Sequence, residues 1–241
     1  MAREKNVQNF NDDVRVNGGY RYTQNAQASS TMANTRISRA VRQLANLSGK
    51  RVLDVGCGDG TYTQELLGMG AAYVLGVDAA DEAIQLATKR AGETANLAFR
   101  VMNIEDLPTL GEHFDVAIVR GLLHHLYDAG PAAASVCPVA DQIVVVEPNG
   151  YNPVLKVIEK VSKYHVEHEE KSYSPRRLDR WFEGEGAIVE ESQFIGLVPY
   201  FCPDAMARTL KRIEPFFERM PLLRSVSCAQ YVQRISTRPS A

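Results

Sequence analysis

Between residues 51 and 148, short runs of uniformly apolar residues alternate with stretches patterned for helices. RVLDVG, AYVLGVD, LAFRVMNI, FDVAIVRG and DQIVVVEP read as strands, because β-branched and large aliphatic residues fill them with no polar face left over. TYTQELLGMG and DEAIQLATKRAGE lie between them with helical spacing, the second with Asp81 placed to cap it. LLHHL and PAAAS are helix-like links between the fourth and fifth strands. Strands apolar on both faces need helices on both faces, so this order predicts a doubly wound, mostly parallel α/β sheet with right-handed crossovers. Its ligand crevice belongs beyond the carboxyl ends of the strands.

The flanks are less regular. Residues 1–33 read as a loosely structured N-terminal arm carrying GGYRYT, and a helix pattern starts at Asn34 with Ile37, Val41, Leu44 and Leu47 on one face. After Pro148 come charged helical sequence, a sixth strand in AIVEESQFIGLV, an amphipathic helix in DAMARTLKRIEPFFERM, and a last strand in SCAQYVQRIS. One domain is expected over 1–241: the arm, a cofactor-binding core at 34–148, and a substrate-lid region with the last two strands at 149–241. The 45% hydrophobic and 23% charged residues are ordinary for a globular chain, and the net charge of -2 argues against a protein built to coat nucleic acid. No apolar run approaches the length of a membrane span and the N-terminus has no signal-peptide core, so a cytoplasmic location is expected. The four cysteines, Cys57, Cys137, Cys202 and Cys228, are far apart and read as incidental thiols.

The turn after the first strand, VGCGDG, is the first functional signal. Glycines permit positive φ and let a ligand approach the main chain. The third glycine arrives one residue too early for G-x-G-x-x-G, and Thr61 stands where that motif needs glycine, which disfavours a nicotinamide dinucleotide. Asp54 and Asp59 put negative charge at the turn, better matched to a cationic or amine-bearing ligand than to pyrophosphate. Asp78, closing the second strand, can accept both hydroxyls of a ribose, and Asn103 beside Ile104 suits the edge and face of an adenine.

VLDVGCGDG at 52–60, Asp78, NIEDLP at 103–108 and FDVAIVRGLLHHL at 114–126, in that order, resemble the class I S-adenosylmethionine-dependent methyltransferases, a Rossmann-like family. The resemblance covers residues 51–148 and implies seven strands with the last antiparallel. It also implies S-adenosyl-L-methionine as cofactor, S-adenosyl-L-homocysteine as product, and a site across the ends of strands one to four. It would place Asp54, Gly56, Cys57 and Gly58 at the methionine end, Asp78 and Ala79 at the ribose, and Asn103 and Ile104 at the adenine. Arg120 would lie near the sulfonium, and Tyr22 or Tyr20 of the arm would close over it by a carboxylate bond or a cation–π contact.

Candidate bases for the acceptor are His124 and His125 after strand four and Glu147 at the end of strand five, each with a packing or pairing role as the alternative. Tyr164, His165 and His168, in KYHVEHEEKSY, are candidate substrate contacts. His165 and His168 would share a helix face and could join His125 around an ion, but so charged a stretch reads better as solvated surface, and no metal site is expected. RGLLHH lacks the Asp/Asn-Pro-Pro-aromatic run that the resemblance associates with methylating amide-like nitrogens, so no nucleic acid partner is expected. The expected reaction is methyl transfer to an oxygen or nitrogen of a small molecule in specialised-metabolite biosynthesis. The alternatives are a lipid precursor or macromolecule docked on the basic second half with peripheral membrane contact, and a non-catalytic module that holds the cofactor or its product. Oligomeric state is left open.

Overall fold

The computed structural model describes residues 2–20, 22–24, 27–162, 170–200 and 202–238, residues 2–6 by their backbone only. The predicted strands all form: β1 (Arg51–Val55), β2 (Tyr73–Asp78), β3 (Leu97–Val101), β4 (Phe114–Arg120), β5 (Ala140–Pro148), β6 (Ile188–Ile195) and β7 (Gln230–Ser236). They make one sheet in the order β3-β2-β1-β4-β5-β7-β6. β1 to β5 are parallel, and β7 runs antiparallel between β5 and β6 with Val146 opposite Val232.

Alternate residues of the central strands serve two cores. Leu53, Val55, Leu75, Val77, Val119 and Val145 pack on one face, under α5 (Ala129–Ala134) and α7 (Pro175–Glu183). Val52, Val74, Val116, Ile118 and Val144 pack on the other, under α2 (Ala28–Leu44) and α3 (Thr61–Gly68). With water excluded from both faces, no strand needed a polar stripe, which is why the sequence runs were continuous. Strand order reverses between β1 and β4, and their carboxyl ends diverge into a crevice there.

Two helix starts differ from the sequence reading. The arm is not loose: α1 (Ala2–Asn17) is a helix, and its Val14 packs with Ala80 and Ala83 just beyond β2. α4 (Asp81–Ala91) is not capped by Asp81, its first residue; Ala80 takes the cap position. The side chain of Asn11 from α1 does that work instead, accepting from Glu82 N–H (3.2 Å) and donating to Asp81 Oδ1 (2.8 Å). α2 begins at Ala28, six positions before Asn34, because its serines are buried against the chain; Ser29 Oγ donates to Tyr200 O (2.7 Å). The remaining α-helices among the described residues are α6 (Pro153–Val161), α8 (Asp204–Arg219) and α9 (Pro221–Ser227). Among the described residues no helix is long and apolar enough to cross a membrane.

Candidate functional site

A cavity of about 820 Å³ opens at the carboxyl ends of β1, β2 and β4. Val77 O receives both Gly56 N–H (2.8 Å) and Cys57 N–H (3.0 Å), which folds the β1 turn tightly over β2. The turn needs glycine for conformation and for space. Gly56 and Gly58 have φ of 74° and 53°; a Cβ on Gly58 would lie 2.4 Å from the Tyr20 ring, and one on Gly56 2.9 Å from Leu122. Cys57 is buried beside them, and burial raises its thiol well above the ordinary value, so it forms an inert part of the wall.

Asp78 Oδ2 accepts from Gly58 N–H (2.9 Å) and Oδ1 from Ala80 N–H (2.8 Å). Each oxygen has a second lone pair, so this carboxylate can still accept a pair of vicinal hydroxyls. Burial raises its pKa, opposed by those backbone bonds. Ala79, Asn103 and Ile104 line the cavity next to it, Ile104 opening the 3-10 turn Ile104–Thr109. The sequence-named Gly56, Cys57, Gly58, Asp78, Ala79, Asn103, Ile104, Arg120 and Tyr22 therefore share one wall system.

Neither acid of the turn lines the cavity. Asp54 is buried behind the cavity, receiving Thr63 Oγ1–H (2.7 Å), and burial pushes its carboxyl up to about 6. Asp59 is also buried, and turned toward the arm. It pairs with Arg90 Nη1 (2.8 Å) and accepts from Thr23 Oγ1 (2.8 Å), while Arg90 Nη2 donates to Gly18 O (2.9 Å). The negative charge of Asp59, which the sequence reading matched to a cationic ligand, holds the arm in place instead.

Arg120 ends β4 with its guanidinium 3.5 Å from the centroid of the Tyr62 ring. It donates to Ser38 Oγ (3.1 Å) and Asn34 Oδ1 (3.1 Å). Tyr200 OH donates to the same Asn34 Oδ1 (3.2 Å), and the Tyr22 and Tyr200 rings meet edge to face at 5.1 Å. Phe10, Asn34, Tyr62 and Tyr200 line the cavity and were not found from the sequence. They come from four segments with no shared motif, and only the start of a helix at TYT marked Tyr62.

On the acceptor side, the turn Leu123–His125 is built on Glu147. Glu147 is fully buried and does not line the cavity; it receives Leu122 N–H (2.9 Å), Leu123 N–H (2.8 Å) and His124 Nδ1 (2.8 Å). It thus orients the turn from behind. His124 and His125 do line the cavity, with Phe10 edge-on to His125 at 5.0 Å. For His124 burial works to lower the pKa, but Glu147, with Glu170 and Glu159, raises it overall. Tyr164, His165 and His168 lie outside the described residues.

Residues 52–139 match the family model described as a methyltransferase domain. Residues 52–139 are a methyltransferase domain. The ubiquinone biosynthesis O-methyltransferase of Neisseria meningitidis serogroup C (strain 053442) is 38% identical over 92 residues, 37% of this chain and 38% of that protein. The tRNA U34 carboxymethyltransferase of Hahella chejuensis (strain KCTC 2396) is 37% identical over 90 residues, 36% of this chain and 28% of that protein. The match thus spans well under half of those relatives. A chain from the complex of the Haloferax volcanii Trm112 methyltransferase activator with a methyltransferase superposes with a TM-score of 0.68 at 16% identity. That likeness covers 95% of this chain and 98% of that one. The strand order with antiparallel β7 is the class I methyltransferase fold.

Proposed function

We propose that this chain transfers a methyl group from S-adenosyl-L-methionine to an oxygen or nitrogen of a small-molecule acceptor. One observation carries the reading: Asp78, the Gly56–Gly58 turn and the Asn103–Ile104 pair line the same 820 Å³ cavity that His124 and His125 enter from the other side. The wall fits a nucleoside bearing an amino acid. Asp78 has lone pairs for a ribose, Ile104 an apolar face and Asn103 an amide for adenine, and Arg120 with Tyr62 sits at the other end for a carboxylate. The bound cofactor supplies an electrophilic methyl group on a sulfonium. The protein aligns the acceptor with that carbon and keeps water out. His124 and His125 line the end of the cavity where the acceptor would lie.

The second half contributes Leu155, Ile158, Val198 and Tyr200 to the cavity and, with the arm, forms the substrate lid. The aromatic residues around it, Phe10, Tyr20, Tyr22 and Tyr62, favour a flat acceptor. No residue argues for a specialised metabolite in particular; the O-methylation in the Neisseria relative's name supports oxygen as the target atom. A macromolecular or lipid acceptor has the Hahella relative's tRNA on its side. Against it, basic residues that would dock such a partner are engaged within the chain: Lys156 with Glu159, Lys211 with Glu214, and Arg177 against the Tyr173 and Trp181 rings.

Calorimetric titration with S-adenosyl-L-homocysteine, with NADH alongside, tests the cofactor. Micromolar binding of the first alone is expected, lost in Asp78→Ala; binding of neither would remove the methyl-transfer reading. A screen of small phenols and amines with labelled cofactor then separates an enzyme from a module that only holds the nucleoside.

A further inference from the structure

His124, His125 and Glu170 form a donor set that methyl transfer alone does not require. One donor atom from each lies within 4.8 Å of the other two. The imidazoles are consecutive, with centroids 3.9 Å apart, and Glu170 Oε1 is 3.8 Å from His125 Nδ1. All three line the cavity, yet their side chains are only 11%, 13% and 7% exposed. Two imidazoles and one carboxylate are the donors that hold transition ions while leaving positions open to substrate.

The surroundings resemble a ligand shell rather than a chance meeting. Glu147 takes His124 Nδ1 and so leaves Nε2 as the nitrogen available to a ligand, the carboxylate–histidine arrangement that fixes tautomer and ring direction at metal centres. Glu147 is itself fixed by the N–H groups of Leu122 and Leu123. Lys171 N–H donates to His124 O (3.0 Å), tying the residue next to Glu170 to the histidine turn. Phe10 packs edge-on against the His125 ring.

We infer that His124, His125 and Glu170 bind one divalent transition ion whose open positions face the acceptor end of the cavity. With two nitrogen donors the set suits zinc, cobalt or iron over magnesium or calcium. Around zinc, donors at bond lengths of about 2.0–2.1 Å stand about 3.3 Å apart, so a set lying within 4.8 Å tightens by at most about 1.5 Å, to which the rotors of Glu170 contribute. The ion's role, unlike its site, rests on the methyl-transfer reading. An acceptor hydroxyl bound to it loses its proton to solvent at a lower pH. The resulting oxygen anion forms the O–CH3 bond as the C–S bond breaks, and the electron pair returns to sulfur as a neutral thioether.

The test uses the full chain, stripped with a chelator and titrated with Co2+. Visible d–d absorption should saturate at one ion per chain with micromolar or tighter affinity, and Zn2+ should displace it. Glu147→Gln should weaken binding by about 10–100-fold, as expected for a residue that orients a ligand. His125→Gln and Glu170→Gln should weaken it further. His113→Gln, at a surface histidine 2.6 Å from Asp141, should change nothing and so reports adventitious histidine binding. Thermal melts confirm that each variant is folded. An absent band, or equal affinity in the His125→Gln/Glu170→Gln double variant, overturns the site. S-adenosyl-L-homocysteine is titrated into the same stripped protein. Its binding without Co2+ binding would remove the ion and leave methyl transfer standing; the reverse would keep the ion and remove its role.

Discussion

Asp54 shows how a residue can sit in a ligand motif without lining the cavity beside it. It lies inside β1, buried behind the glycine turn, with Thr63 Oγ1 as its hydrogen-bond donor. Burial raises its pKa to about 6, well above the ordinary carboxylate range, against the opposing pull of Thr63 and Arg120. The folded state therefore holds this proton more tightly than the unfolded state, and stability falls as pH rises between the two values. The full effect is about 3 kcal/mol, about half of which falls between about pH 5 and pH 8. Asp54→Asn keeps an acceptor for Thr63 and removes the charge. Its denaturation midpoint should gain on the wild type as pH rises through that window, and a gap independent of pH would contradict the buried-acid account. Local chemistry of this kind decides what was legible. Gly56, Gly58, Asp78 and Asn103 could be placed because each demand, a positive φ or a carboxylate at a strand end, is met within a few residues. Asn34 and Tyr200 could not, because they meet only after 166 positions of chain have folded between them.

At the scale of elements, the strands were readable and the first helix was not. A strand buried on both faces announces itself with four or five apolar residues in a row. Among the described side chains of α1, Phe10 and Val14 join the apolar cluster beyond β2, too short a stripe to raise a periodic signal in so polar a segment. Its docking depends on polar contacts instead. Asn11 bonds the start of α4, Arg15 pairs with Glu82 at 2.7 Å, and Arg90 holds Gly18 O. Asn11→Ala removes the N–H acceptor that caps α4, a loss of about 1 kcal/mol. The deficit should be local. Amide exchange should speed up across α1 and the first turn of α4 while β1 and β4 keep their protection. Equal acceleration in the sheet would mean that α1 is part of the cooperative core rather than a separately docked cover.

Across the whole molecule, the cavity is where the best-read and worst-read parts of the chain meet. Its floor comes from the strand ends of the methyltransferase domain, and its roof from α1, Tyr20, Tyr22, α6 and residues 198–200. Phe10 reaches from the roof to His125 on the floor, and Tyr20 sits on Gly58, so a nucleoside entering between them must contact both layers. A ligand that binds only the folded state stabilises it by about 2.7 kcal/mol at a hundredfold excess over Kd, worth about 5–10 °C in a chain of this size. S-adenosyl-L-homocysteine should produce that shift, and the accompanying loss of amide exchange should extend from the glycine turn into α1 and α6. Both layers have to be ordered together for the acceptor to be held dry against the histidine turn. Protection confined to the floor, with the same thermal shift, would leave the nucleoside bound in an open cleft. Closing the roof would then fall to the acceptor rather than to the cofactor.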